Sequence, residues 1–170
     1  MLQKIDILDG GIHRKSAAPL VSLRGISKVF SNGTVALQEL SLDIRQGEFV
    51  SLLGPSGCGK STVLRIIAGL GEPTSGAVVW PDRVGKAGSS GDHDKAARDI
   101  GFVFQEPTLM PWATVFGNVW LPLRLSGVSK AAARGKVMEA LAMVGLVNVA
   151  DSYPRELSGG MKMRVSIARA

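Results

Sequence analysis

A chain of 170 residues that is 45% hydrophobic and 20% charged, with a mean hydropathy of +0.19, has the size and composition to bury one sizeable core. No apolar run approaches the roughly 18 residues of a membrane span, the charged opening "MLQKIDILDGGIHRKSAAP" lacks the apolar stretch of an export signal, and a single cysteine, Cys58, excludes an intrachain disulfide. The net charge of +6 favours acidic partners (nucleotides, nucleic acid or an anionic membrane face) without choosing among them.

Residues 1–19 lack sustained periodicity and contain Gly10, Gly11 and Pro19, which predicts a flexible tail followed by one domain over residues 20–170. "VSLRGI" (Val21–Ile26) and "LSLDI" (Leu40–Ile44) read as short strands with "SNGT" as a turn between them. Phe49–Leu53 is apolar except for Ser51, the pattern of a strand buried on both faces. A glycine-rich loop follows, and then "KSTVLRIIAGL" with Val63, Ile66, Ile67 and Leu70 at helical spacing and Gly71 as the expected stop. Strand, glycine loop and helix in that order open an α/β nucleotide-binding fold.

"SGAVVW" predicts a further strand, Pro81–Asp99 a polar glycine-rich loop, and Ile100–Gln105 a buried strand ending in a polar residue. Trp112, Phe116 and Trp120 recur at every fourth position, as on one helix face, with core packing as the ordinary use of such a stripe. "SKAAARGKVMEALAMVGL" predicts a helix capped by Ser129, with Val137, Ala140, Leu141 and Val144 on one side. Ser158-Gly159-Gly160 then precedes a run with Met161, Val165 and Ala168 at helical intervals. That stretch is either a plain helix cap or a second anion site at a helix N-terminus.

The chemistry is concentrated in Gly54-Pro55-Ser56-Gly57-Cys58-Gly59-Lys60-Ser61, which fits G-x-x-x-x-G-K-[ST]. Glycines let successive main-chain N–H groups turn toward phosphate oxygens, and the following helix presents its positive end. Lys60 is placed to reach the β- and γ-phosphates and Ser61 to ligate Mg²⁺. Cys58, at a variable position of the loop, is expected to fill space rather than react. His93 has acidic neighbours but no second spaced ligand, so a solvated loop is the expectation there.

With both glycine stretches in view, the chain resembles the ATP-binding subunit of an ABC transporter. "GPSGCGKST" resembles that family's Walker A loop. "LSGGM" (Leu157–Met161) resembles its signature sequence, with methionine where glutamine is commoner, and "FVFQEP" places Gln105 at its Q-loop glutamine. Phe30 stands where the family stacks an aromatic ring on adenine. "LMPWATVFGNV" resembles the importer branch for nitrate, sulfonates such as taurine and similar solutes, although Gly117 replaces an acidic residue and removes a capping-box partner.

The resemblance implies an α/β fold, a P-loop NTPase of ABC type, with a small antiparallel β subdomain and a helical subdomain. It implies ATP and Mg²⁺ as ligands. Gly54, Pro55, Ser56, Gly57, Cys58, Gly59, Lys60, Ser61 and Thr62 would hold the phosphates, and Ser61 and Gln105 would serve the metal. Ser158, Gly159 and Gly160 would meet the γ-phosphate of ATP on the second subunit of a head-to-tail dimer, while Lys60 and Gln105 act in hydrolysis. Further implied partners are transmembrane permease subunits, reached through a groove for which Trp112 and Phe116 are candidate contacts, and indirectly a solute-binding protein. No nucleic acid is expected, and the implied location is peripheral, on the cytoplasmic side of the inner membrane.

The family continues beyond "SIARA" into an apolar strand ending in Asp-Glu (Walker B), a further Asp loop and a switch histidine, which this chain lacks; His13 and His93 lie too far upstream to replace the last. The expectation is therefore of a truncated cassette with an unpaired P-loop strand, poor folding and little turnover of its own. Three other readings remain beside transport: a non-transport relative acting on ribosomes or nucleic acid, a small-molecule kinase, and a non-catalytic nucleotide-binding remnant. The +6 charge alone supports the first of these, and "LSGG" argues against the second.

Overall fold

The computed structural model describes residues 18–80 and 100–170, together with the backbone of residues 6–9. The chain divides into two compact units, Met1–Ile100 and Gly101–Ala170. The predicted loop Pro81–Asp99, with His93, and His13 lie outside the described residues.

In the first unit, β2 (Val21–Val29) lies between β3 (Val35–Ile44) and β5 (Ser75–Val79) in an antiparallel sheet of order β3-β2-β5. Both long strands run further than expected, because the "SNGT" turn is tight. Phe30 N–H donates to the Thr34 carbonyl at 2.9 Å, and Asn32 Oδ1 accepts from Thr34 N–H at 3.0 Å. The inner face carries Val21, Leu23, Ile26 and Leu37. Against it packs α1 (Lys60–Ile67) through Val63 and Ile66, each side chain contributing roughly 1.5–3 kcal/mol by burial.

Helix α1 stops two residues earlier than expected, at Gly69 rather than Gly71. Gly69 takes φ +69°, its N–H donates to the Ile66 carbonyl at 3.1 Å, and Leu70 N–H donates to the Arg65 carbonyl at 2.8 Å. This crossed pair satisfies two orphan carbonyls and needs a left-handed residue, which glycine adopts without penalty.

The P-loop strand β4 (Val50–Leu53) is shorter and more open than the doubly buried strand expected. Phe49 is 77% exposed and Leu53 47%. Within the stretch expected to be a loose tail, β1 (Asp6–Asp9) pairs antiparallel with β4, Asp6 opposite Leu53 and Asp9 opposite Val50. That ladder occupies an edge of the strand that the sequence reading left unpaired.

The second unit contains helices α2 (Val115–Leu125), α3 (Lys130–Met143) and α4 (Gly159–Arg169), with 3-10 turns at Val147–Val149 and Pro154–Glu156. Its core joins Val115, Phe116 and Val119 of α2 to Ala133, Val137 and Leu141 of α3, Val165 of α4, and Leu146, Ala150 and Leu157 of the connections. Trp112 precedes the N-cap Thr114, so the aromatic row does not lie on one helix face. Trp112 is 76% exposed and Phe116 only 5%, which removes Phe116 as a surface contact.

Residues 100–105 form no strand, contrary to the alternation in "IGFVFQ". Alternation marks an extended chain, but a strand also needs a ladder partner, and none is present among the described residues. The Phe102 and Phe104 rings instead meet edge to face at 4.7 Å between centroids.

The start of α2 lacks a capping-box carboxylate, as Gly117 predicts, and is completed from elsewhere. Thr114 Oγ1 accepts from Gly117 N–H at 3.2 Å, while the N–H groups of Val115 and Phe116 donate to the carbonyls of Ser152 and Ala150, both at 2.8 Å. Asn118, fully buried, then fixes the entering loop. Its Oδ1 accepts from Met110 N–H at 2.7 Å, and its Nδ2 donates to the carbonyls of Met110, Ala113 and Thr114 at 3.2, 3.1 and 3.0 Å.

Removing that carboxamide strands several buried polar groups. Asn118→Ala is expected to lower unfolding free energy by about 3 kcal/mol, read as a lower denaturant midpoint at unchanged slope. Asn118→Asp, which keeps the acceptor but places a charge where three carbonyls point, is expected to do no better.

Candidate functional site

The geometry that concerns function begins where β4 ends. The loop from Gly54 to Gly59 holds φ angles of +147° at Gly54, +83° at Gly57 and +99° at Gly59. Gly59 is also crowded. A Cβ there would collide with the Ala36 carbonyl oxygen and lie 2.8 Å from Leu37 Cδ2 of β3, whereas a Cβ at Gly57 would meet open space. The absence of a side chain at Gly59 therefore lets the first turn of α1 seat directly on the three-stranded sheet.

That turn displays unused donors. Among the described residues the N–H groups of Gly57, Gly59, Lys60 and Ser61 make no hydrogen bond; the first intrahelical bonds come from Thr62 and Val63, at 2.9 and 3.0 Å to the Gly59 carbonyl. No acidic residue stands in the first turn to neutralise the positive helix end. A curved row of free amides at a helix N-terminus is an anion cradle.

Lys60 closes the mouth of the loop. Its Nζ donates to the carbonyls of Gly54 and Pro55, both at 2.7 Å, and lies 3.4 Å from Cys58 Sγ. The ammonium is thus held over the cradle by weak neutral acceptors that a charged phosphate can outcompete. Cys58 is 7% exposed and packs beneath the loop, in keeping with a space-filling role. Ser61, the candidate metal ligand, is exposed on the first turn of α1.

Phe30, at the end of β2, is 44% exposed, and Lys28 Nζ lies 5.8 Å from its ring centroid. A large ring so exposed has a face available for stacking. Phe30 and the P-loop both belong to the first unit, and Gln105 and the Ser158–Gly160 stretch to the second.

Gln105 is exposed on an irregular segment. Ser158 is the N-cap of α4, its Oγ accepting from Met161 N–H at 3.3 Å, and Gly159 and Gly160 stand exposed in the first turn. The capping bond is present, and the remaining first-turn amides are open to solvent, so cap and anion site are compatible here. Leu157, buried in the core, anchors this turn, and Glu156 braces the approach by accepting from Tyr153 N–H at 2.5 Å.

Two positioning residues escaped the sequence reading. Asn118 is one. Arg169, in the last turn of α4, donates to the Thr108 carbonyl at 2.7 Å and to Thr108 Oγ1 at 2.9 Å, tying the segment just after Gln105 to α4. Partial burial lowers its guanidinium pKa, with no consequence for its charge near neutrality. Nothing in a lone arginine near a chain end signals such a contact.

Comparison with known proteins decides the family. The ABC transporter profile matches residues 37–170, most of the chain. The chain belongs to the ABC transporter family. The sulfate/thiosulfate import ATP-binding protein CysA of Pseudomonas aeruginosa is 45% identical over 154 residues, covering 88% of this chain and 45% of that protein. The methionine import ATP-binding protein MetN 1 of Acinetobacter baylyi is 39% identical over 167 residues, covering 94% and 46% respectively. The chain therefore spans about half the length of the curated relatives it matches.

Among solved structures, the ATP-binding cassette MJ0796 in a dimeric post-hydrolysis state bound to ADP and Pi superposes with a TM-score of 0.75 at 37% identity, covering 88% of this chain and 68% of that one. The fold is thus that of the ABC ATPase cassette, a P-loop NTPase with an antiparallel β sheet and helices, as the ordered motifs imply. Among the described residues no helix is long and apolar enough to cross a membrane.

The two loop glycines separate strain from contact. Gly59→Ala is expected to destabilise the protein by about 2–3 kcal/mol and to abolish nucleotide binding, because backbone rather than a flexible side chain blocks the Cβ. Gly57→Ala, with only backbone strain to bear, is expected to cost about 1–2 kcal/mol. Denaturant unfolding and fluorescent-nucleotide titration of both variants check the order.

Proposed function

We propose that the chain is the nucleotide-binding portion of an ABC importer's ATP-binding subunit, taking up ATP with Mg²⁺ to energise passage of a small solute through partner permease subunits. The observation that carries this reading is the set of free amides at Gly57, Gly59, Lys60 and Ser61, beside the Lys60 ammonium that bridges the Gly54 and Pro55 carbonyls. Import is supported by relatives whose names specify import of sulfate/thiosulfate, methionine and, in Thermobifida fusca, spermidine/putrescine. These cargoes share no chemistry, so they leave the solute open. Nitrate, sulfonate or taurine-like anions are our reading of "LMPWATVFGNV" alone.

In this reading the amides of Gly57, Gly59, Lys60 and Ser61 bind and orient the β- and γ-phosphates. Lys60 exchanges its carbonyl partners for phosphate oxygens, and Phe30 offers a face to the adenine. Ser61 and Gln105 would hold Mg²⁺, which supplies charge neutralisation at the phosphates. Exposed Ser158, Gly159 and Gly160 present a second set of amides, suited to the γ-phosphate bound by the other subunit of a head-to-tail dimer. Placement at the cytoplasmic face of the inner membrane, through the permease, completes the proposal, with a solute-binding protein as an indirect partner. The nucleic-acid reading lacks any support beyond net charge.

Titration of the chain with ATP and Mg²⁺ by calorimetry tests it. Saturable one-to-one binding is expected, weakened at least about 100-fold in Lys60→Ala, consistent with loss of a charge-assisted contact. No saturable binding by a chain with native-like circular dichroism, or equal binding by Lys60→Ala, overturns the reading.

A further inference from the structure

The end of β2 is braced from two directions. At the turn, Phe30 N–H donates to the Thr34 carbonyl and the Phe30 carbonyl accepts from Gly33 N–H, both at 2.9 Å. From the β5 edge, Thr74 N–H donates to the Ser27 carbonyl at 2.8 Å, and Thr74 Oγ1 accepts from Val29 N–H at 3.0 Å. The main chain that carries Phe30 is thus fixed before any ligand arrives.

Lys28 is drawn into the same bracket. Its Nζ donates to the Glu72 carbonyl at 2.7 Å and stands over the Phe30 ring, 5.8 Å from the centroid. The side chain is half-buried and forms no ion pair among the described residues. A cation over one face holds the ring in place and draws π-electron density towards itself. Both effects favour stacking of a flat base on the opposite face. The first lowers the ordering cost of binding, and the second eases the repulsion between the two π clouds.

The bracket also has a fixed relation to the phosphate cradle. Lys28 pairs with Leu37 across the β2–β3 ladder, and a Cβ on Gly59 would lie 2.8 Å from Leu37 Cδ2. Lys28 and Gly59 are therefore both neighbours of Leu37, which puts the ring and the cradle at the same end of the hairpin.

We infer that Lys28 is a positioning residue for the nucleobase, holding Phe30 so that the face away from the ammonium receives the base. The inference rests on the nucleotide reading above and adds a residue that acts on the base through the ring. The ordinary use of a lysine at such a site is a direct phosphate contact, which strengthens binding of a bare triphosphate as much as that of ATP. The two roles are therefore separable.

Calorimetric titration of the full chain, in Mg²⁺, with ATP and with inorganic tripolyphosphate separates them. Lys28→Met, which keeps the apolar stem, is expected to weaken ATP binding about threefold and to leave tripolyphosphate unchanged. Phe30→Ala is expected to weaken ATP at least about fivefold, again without effect on tripolyphosphate, and adding Lys28→Met to it should change neither further. Lys28→Arg, which restores a cation over the ring, should bind both ligands as the unaltered chain does. Arg65→Met, an equal loss of charge at an exposed position of α1, should keep the ratio of the two affinities. If Lys28→Met loses native-like circular dichroism, Lys28→Gln, which keeps a side-chain donor but no charge, carries the same test. Unchanged ATP binding in Lys28→Met, equal weakening of both ligands, an undiminished effect beside Phe30→Ala, or the same change of ratio in Arg65→Met overturns the inference and leaves the nucleotide reading standing. Saturable binding of neither ligand removes both.

Discussion

The contact on which the site depends is the one between Gly59 and the backbone of β3. With no side chain at that position, the N-terminus of α1 rests against Ala36 and Leu37, and Val63 and Ile66 complete the same seam. The direction of α1 is thereby set by packing on the sheet, and the free amides of its first turn point where the helix start points. An anion bound there is held by main-chain groups that need no reorganisation, in a field already favourable to negative charge. The glycines cost conformational entropy in folding, and the seam along β3 offsets it.

The second unit solves a related problem by other means. Its helices begin without acidic capping partners, and the acceptors are the hydroxyls of Thr114, Ser129 and Ser158 and, at α2, the carbonyls of Ser152 and Ala150. Two helices end on the same crossed pair of hydrogen bonds. At α3 this brings Leu146, just past the end, onto Leu141 in the core, with Leu146 N–H donating to the Leu141 carbonyl at 2.8 Å. The turn at Ser158 inherits its position from this frame, since Leu157 is buried in the same core one residue before it. A short exposed stretch of serine and glycine is therefore held firmly by residues that take no part in its chemistry.

Much of the fold is legible along the chain because local chemistry dictates it. "SNGT" makes a turn wherever it stands, Ser129 and Ser158 cap helices through their own hydroxyls, and Gly54–Ser61 declares a phosphate loop. Less legible are features that need a partner. Phe102–Phe104 alternates like a strand but finds no ladder among the described residues. Trp112 shares a period with Phe116 and Trp120 yet lies outside the helix, because Thr114 caps first. Gly69 and Gly71 are equally plausible stops on composition, and the choice falls to Gly69, whose N–H meets the Ile66 carbonyl while Leu70 N–H meets that of Arg65.

The sequence by itself determined the family, through three ordered motifs, and singled out Gly54–Ser61 as the candidate phosphate loop, because a glycine, lysine and serine pattern of that spacing has few other uses. Only the tertiary structure decided that Gly59 rather than Gly57 is the crowded glycine, that β4 is half open and pairs with β1, that Phe116 is core and Trp112 surface, and that Asn118 and Arg169 hold the segment from Thr108 to Thr114. Each of these turns on which atoms from distant parts of the chain come within contact distance, and local pattern carries no record of that.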